Sequence, residues 1–271
     1  PSSAASDVYK RQPTLCEQQT VVHHLVSILD VTEPCSIVLM QTLARDAVED
    51  CLSRGVIPFL VGGSALYTKA ILDEMSIPPT DPQVRARWQE RLDAQGPHAL
   101  HDELARRDPK AAESILPGNG RRIVRALEVI DLTGSFTATI PDGTFHWPNT
   151  VQIGLELPRQ DMDQRIAERV DQMWADGFVD EVCSLVDAGL RGGLTASRAL
   201  GYRQVLEYLD GEYDEDEARR RTVTGTRRFA RKQLMWYRRD DRIEWFNALS
   251  SDLDDCVMAR VLTALSAGEE D

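Results

Sequence analysis

The sequence predicts an α/β fold, a parallel-sheet core interrupted by an all-helical insertion. Three observations predict it. VIPFLV (56–61) is a short, almost wholly apolar run followed by a Gly turn and a helical pattern, as expected of a strand buried on both faces. VQIGLEL (151–157) is a second strand-like run. Between them, residues 83–134 carry only helical patterning, punctuated by Asp108-Pro109 and by PGNG at 117–120.

Taken in order, PSSAASDVYKRQ (1–12) is small, polar and without periodicity, and is expected to be a foreign or disordered lead-in. Residues 36–54 space Val38, Leu43, Ala47 and Cys51 as a helix does, and Gly55 stops it. Gly62-Gly63-Ser64 ends the first strand, and ALYTKAILDEM resumes a helix. PPTDP at 78–82 marks a boundary. The expected division is therefore a core of 13–80 and 148–271, with an insertion at 81–147. From the second strand to residue 240 the pattern is helical, broken at Gly177, at 189–193 and around Gly211.

The chain of 271 residues carries 44 acidic and 31 basic side chains, a formal net charge of −13. A negative surface repels nucleic acid, so indiscriminate binding is excluded, though a local basic groove is not. Five scattered cysteines, none in a CxxC spacing, argue against a disulfide framework or zinc site and for buried or half-buried thiols in a reducing cytoplasm. No apolar run approaches the roughly 18 residues of a membrane span.

Four segments carry candidate chemistry. Gly62, Gly63 and Ser64 lie between a strand and a helix start, where backbone N–H groups face a ligand; the alternative is a tight turn with Ser64 as cap. Arg121, Arg122 and Arg125 crowd one side of a helix whose apolar face is Ile123, Leu127 and Ile130. Guanidiniums so clustered suit phosphate oxygens, unless Glu128 and similar neighbours neutralise them on a solvated face. Arg203 follows Gly201 at a helix start, placed either for a diphosphate or for a surface carboxylate. Finally, Arg219 to Arg239 holds nine Arg or Lys and no acid. Val223, Ala230, Leu234 and Tyr237 form its core-facing stripe. Arg227, Arg231 and Arg238 flank that stripe, Arg228, Lys232 and Arg239 point away, and Phe229 and Trp236 lie opposite. This is a phosphate-tracking face with rings nearby, or a solvated helix balanced by the acids at 214–217. His98 and His101 are three apart, but nothing completes a metal set.

Together, PT…EQQTVVHHLVSILDV (13–31), GVIPFLVGGSALY (55–67), PPTDPQVRAR (78–87), GNGRRIVRALEV (118–129), ALGYRQ (199–204) and TRRFARKQLMWYRRDDRIEW (226–245) resemble the tRNA dimethylallyltransferase family. The resemblance implies a P-loop NTPase-like core with a helical insertion. It implies transfer of a dimethylallyl group from dimethylallyl diphosphate to the exocyclic amine of the adenosine 3′-adjacent to the anticodon, with the base flipped out and Mg²⁺ at the diphosphate. By position it assigns Arg203 to the diphosphate, and Ser64, with its neighbours Gly62 and Gly63, and Arg85 to tRNA. Arg121, Arg122 and Arg125 are assigned to the anticodon arm, and the helix of Arg227, Arg228, Arg231 and Lys232 to further tRNA contact. The partners expected are the tRNA anticodon stem-loop and dimethylallyl diphosphate, for a monomer in the cytoplasm with no membrane.

The sequence departs from the family in one respect. No GxTxxGK[ST] loop or DSxQxY segment is present. The expectation is an N-terminally truncated chain that lacks Mg²⁺ ligands and catalysis as written, and is poorly stable through an exposed sheet edge. Rival readings are an adenylate isopentenyltransferase acting on free nucleotide, a non-catalytic RNA-binding fragment, and a small-molecule kinase.

Overall fold

The computed structural model describes residues 15–136 and 143–267, so the lead-in 1–12 lies outside the described residues. A short helix, α1 (Leu15–Thr20), precedes α2 (Ile37–Ser53) and α3 (Ala65–Leu72). The Ser36 hydroxyl caps α2 by accepting from Leu39 N–H. Next come α4 (Pro82–Arg107), α5 (Pro109–Ser114) and α6 (Gly120–Thr133). Asp81, Asp108 and Asn119 cap these three, with Pro at the first position of α4 and α5. Gly96, at φ 79°, kinks α4. Strand β1 (Gln152–Glu156) leads into α7 (Arg159–Ala175), α8 (Phe178–Asp187), α9 (Tyr202–Leu209) and α10 (Glu215–Tyr237). Strand β2 (Ile243–Asn247) and α11 (Leu253–Ala267) complete the order.

The described sheet has two parallel strands, with Gln152 opposite Ile243, Gly154 opposite Trp245 and Glu156 opposite Asn247. The expectation of a buried strand at 56–61 is not met. Those residues have no ladder partner among the described residues, and Phe59 and Val61 are 76% and 92% exposed. An apolar run becomes a strand only when a neighbour satisfies its N–H and C=O groups, and none among the described residues lies alongside.

The chain forms two compact units, Pro1–Asp73 with Phe145–Asp271, and Glu74–Thr144. These boundaries fall a few residues outside and inside the 81 and 147 read from sequence. In the first unit the main core gathers Val170, Trp174, Phe178, Val182, Tyr202 and Val205. A smaller core joins Ala44, Ile71 and Leu72 to Phe145 and Trp147. The second unit is all-helical and packs α4, α5 and α6 around Trp88, Leu100, Leu104, Ile123 and Leu127. Among the four cysteines whose side chains are described the expectation is met only in part: Cys183 and Cys256 are exposed, Cys35 is half-buried and Cys51 is buried.

One ionic cluster ties the first unit together. Asp73, 1% exposed, ends α3 and bridges to Phe145. Arg242 reaches it from just before β2, with Nη1 2.7 Å from Oδ1 and Nη2 3.2 Å from Oδ2. The same guanidinium binds Asp240 and lies 4.0 Å above the Phe145 ring. Arg45 of α2 donates to the carbonyls of Ile71 and Asp73, closing the α3 C-terminus.

Arg242→Met leaves the Asp73 carboxylate buried without its main partner, and urea titration should show a loss of about 3 kcal/mol. The Arg242 guanidinium donates to Asp240 and holds its carboxyl below the usual carboxylate range. Its contribution is therefore complete above the unfolded value of about 4 and disappears as pH falls through the folded value. The stability gap between the parent and Asp240→Asn should close on acidification; a gap constant from pH 7 to pH 3 would contradict this.

Candidate nucleic-acid interface

Helix α10 starts under acid control. The Asp214 side chain caps it by accepting from Glu217 N–H, and Glu215, Asp216 and Glu217 occupy the first turn, where the helix dipole favours negative charge. Ala218 and Thr222 are buried, and Val223, Ala230, Leu234 and Tyr237 continue that stripe half-buried. The expected wheel is therefore seen.

The absence of acids along the helix is not an absence in space. Glu217 pairs with both Arg220 and Arg221, and Arg219 lies 3.8 Å from Asp171. Arg227 donates to the Asp163 carbonyl at 2.9 Å and lies 3.7 Å from its carboxylate. Arg238 pairs with Glu156 of β1. Four cations are left over. Arg228, Arg231, Lys232 and Arg239 are all exposed, and none has a carboxylate partner among the described residues. Positions 228, 232, 235 and 239 make one stripe, with Met235 56% exposed between the charges and Phe229 and Trp236 half-exposed beside them. Such a face presents an uncompensated positive field with apolar surfaces on which a base can stack.

The turn before α3 sits against this helix. Ser64 occupies the N-cap position without a side-chain cap bond, so the alternative capping role is not observed. Its carbonyl accepts from Thr68 Oγ1 at 3.1 Å, and that hydroxyl lies 2.9 Å from the Tyr237 hydroxyl. The Gly63 carbonyl accepts from Gln233 Nε2 at 2.7 Å. Gln233 is not among the residues that the sequence singles out. The only signal for it is its place on α10 one helical turn before Tyr237.

Arg203 is the second residue of α9, two after the N-cap Gly201, whose φ of 94° suits glycine. Its guanidinium is exposed, with Nε 3.1 Å from Glu207 Oε1. The Tyr213 hydroxyl is 2.8 Å from the other Glu207 oxygen, and burial together with that carboxylate pushes the phenol up to about 12. With Asp210, Glu212 and Arg221 these groups line a shallow polar cleft.

In the helical unit the arginine trio divides. Arg121 and Arg122 are exposed. Arg125 instead turns into the frame, binding the carbonyls of Pro78 and Pro79 and Glu128 Oε2 at 2.7, 3.0 and 2.9 Å. Arg85 meets the same oxygen at 2.9 Å, and Asp81 N–H donates to Oε1 at 3.0 Å. Glu128 is wholly buried, so its pairs with Arg85 and Arg125 organise the entry to α4 rather than a solvated face. His101 lies 3.1 and 2.8 Å from the Ala112 and Ile115 carbonyls, and no group of three His, Cys, Asp or Glu suited to a metal occurs among the described residues.

Comparison with known proteins fits this geometry. The family model described as IPP transferase matches residues 5–240, opening inside the segment expected to lie outside any match. The chain is 84% identical to the tRNA dimethylallyltransferase of Cutibacterium acnes over 265 residues, covering 98% of this chain and 83% of that protein. The Kineococcus radiotolerans enzyme of the same name is 56% identical over 243 residues, covering 89% and 76%. Among solved structures, the tRNA isopentenylpyrophosphate transferase of Bacillus halodurans superimposes with a TM-score of 0.68 at 35% identity, covering 98% of this chain and 86% of that one. A eukaryotic dimethylallyltransferase acting on tRNA shares the fold, with a TM-score of 0.70 at 20% identity over 91% and 65% of the two chains. A P-loop NTPase-like α/β core with a helical insertion, a four-cation face on α10 and a family match over most of its length together establish that the chain belongs to the IPP transferase family.

Proposed function

We propose that this protein serves tRNA modification, in which a dimethylallyl group passes from dimethylallyl diphosphate to the exocyclic amine of the adenosine 3′-adjacent to the anticodon. In that reaction the amine nitrogen bonds to the allylic carbon, the carbon–oxygen bond to diphosphate breaks, and the amine loses a proton to a base. Mg²⁺, when bound, would neutralise the leaving diphosphate. The described residues include no set that fits it, so no step is assigned through it.

The observation that carries the reading is the uncompensated face of α10. Arg228, Arg231, Lys232 and Arg239 have no carboxylate partner among the described residues of a chain of formal charge −13. Unpaired charges held together against their own repulsion suit a polyanion. Exposed Phe229 and Trp236 favour RNA with unstacked bases over a duplex. Arg121 and Arg122 offer a second basic patch for the anticodon arm. A free nucleotide such as AMP needs no surface of this extent, which disfavours the adenylate-prenylating alternative. Arg203 is assigned to the diphosphate, Glu207 holding its Nε while the rest of the guanidinium stays open to solvent. No described helix is long and apolar enough to cross a membrane, and the unpaired thiols suit the cytoplasm.

In a form of the chain extended by the family's GxTxxGK[ST] and DSxQxY segments and supplied with dimethylallyl diphosphate and Mg²⁺, prenylation of tRNA but not AMP is the expected outcome, and the reverse preference would overturn the assignment. Arg203→Ala should slow transfer on the order of a hundredfold while tRNA affinity stays nearly constant; an unchanged rate removes Arg203 from the site. Replacing Arg228 and Lys232 with Ala should reduce the slope of log affinity against log salt by about 1 for each phosphate no longer neutralised. An unaltered slope would return α10 to a solvated surface.

A further inference from the structure

The Gly62–Ser64 turn and the basic face of α10 lie far apart in the chain. In space they are joined. Gln233 Nε2 donates to the Gly63 carbonyl at 2.7 Å, a contact spanning 170 residues. One helical turn further along α10, the Tyr237 hydroxyl meets Thr68 Oγ1, which also donates to the Ser64 carbonyl. The lack of a side chain at position 63 leaves room for the Gln233 amide. A Cβ there would stand 1.9 Å from Gln233 Nε2, so any side chain displaces the amide. At Gly62 a Cβ would meet nothing within 4 Å. Gly63 carries no positive φ, so its backbone does not by itself demand glycine.

We propose that Gln233 is a positioning residue for the RNA substrate, its amide fixing the Gly62–Ser64 turn to α10 so that turn and basic face form one preformed surface. Lys232 precedes Gln233 in the chain and is exposed, so the helix that carries the free charges also carries the latch. Glycine-rich turns lose much conformational freedom on ordering. A turn already held by a side chain loses less when RNA arrives, and affinity rises by that difference. The inference rests on the assignment of α10 and the turn to RNA.

Filter binding of the full chain to an unmodified anticodon stem-loop RNA tests it. Gln233→Met removes the donor at similar length and without a charge change, and Gly63→Ala expels the amide by occupying its place. Each should weaken binding roughly five- to tenfold, the worth of a hydrogen bond of this kind. The double variant should be no weaker than either single, because both remove the same hydrogen bond. The salt slope should match that of the parent, since every basic side chain is kept, and the melting temperature should fall by no more than about 4 °C. Additive losses in the double variant, or unchanged affinity in both singles, would overturn the proposal. Arg228→Ala with Lys232→Ala serves as the control. If that pair weakens binding while Gln233→Met and Gly63→Ala do not, the latch alone fails. If the control pair has no effect, the RNA assignment of α10 fails and the latch with it.

Discussion

Asp73 is a carboxylate taken almost wholly out of water, and the first unit is arranged to tolerate it. A buried charge of this kind is stable only where donors surround it. Arg242 supplies two, from a point in the chain 169 positions away. It can do so only because Asp240 and the Phe145 ring hold the guanidinium on its remaining sides. The Arg45 contacts fix the carbonyl end of α3 in the same place. Four separate stretches, α2, the end of α3, the segment from Phe145 and the lead into β2, thus meet at one residue. The same meeting sets the lead into β2 against the end of α3.

The distribution of charge on α10 follows a second constraint. A helix with this many cations repels itself unless nearby carboxylates offset the charge. Five of the bases are paired with Asp163, Glu156, Asp171 and Glu217, and the unpaired ones, Arg228, Arg231, Lys232 and Arg239, all face solvent. The net charge of the chain and the local charge of this face therefore have opposite signs without conflict, because screening over a few ångströms to a nanometre separates them.

Much of the fold is legible in local signals. The helix after Ser36, the helical stretch between the two strand-like runs, the strand near 152 and the breaks at Gly177, Gly189 and Gly211 all rest on capping, periodicity or positive φ, which act over a few residues. What is not legible depends on distant partners. VIPFLV has the composition of a buried strand, but pairing is decided elsewhere, and the run lies open. Strand β2 follows a charged stretch and reads as strand only once β1 is beside it. Glu128 looks like one acid among many on a helix surface. Its burial is apparent only when Arg85, Arg125 and the Asp81 amide converge on it. The basic face is visible on the wheel, whereas the identity of its four unpaired members requires the positions of carboxylates up to 82 residues away.

The facing of Gly154 and Trp245 across the β1–β2 ladder has an optical consequence. A Cβ at residue 154 would lie 2.6 Å from the indole, so the ring rests directly on the β1 backbone. Separation of the strands would expose that face of the ring to water and shift its emission to longer wavelength. The protein thus carries at its only described strand pair an intrinsic fluorophore whose colour reports whether the two strands are together.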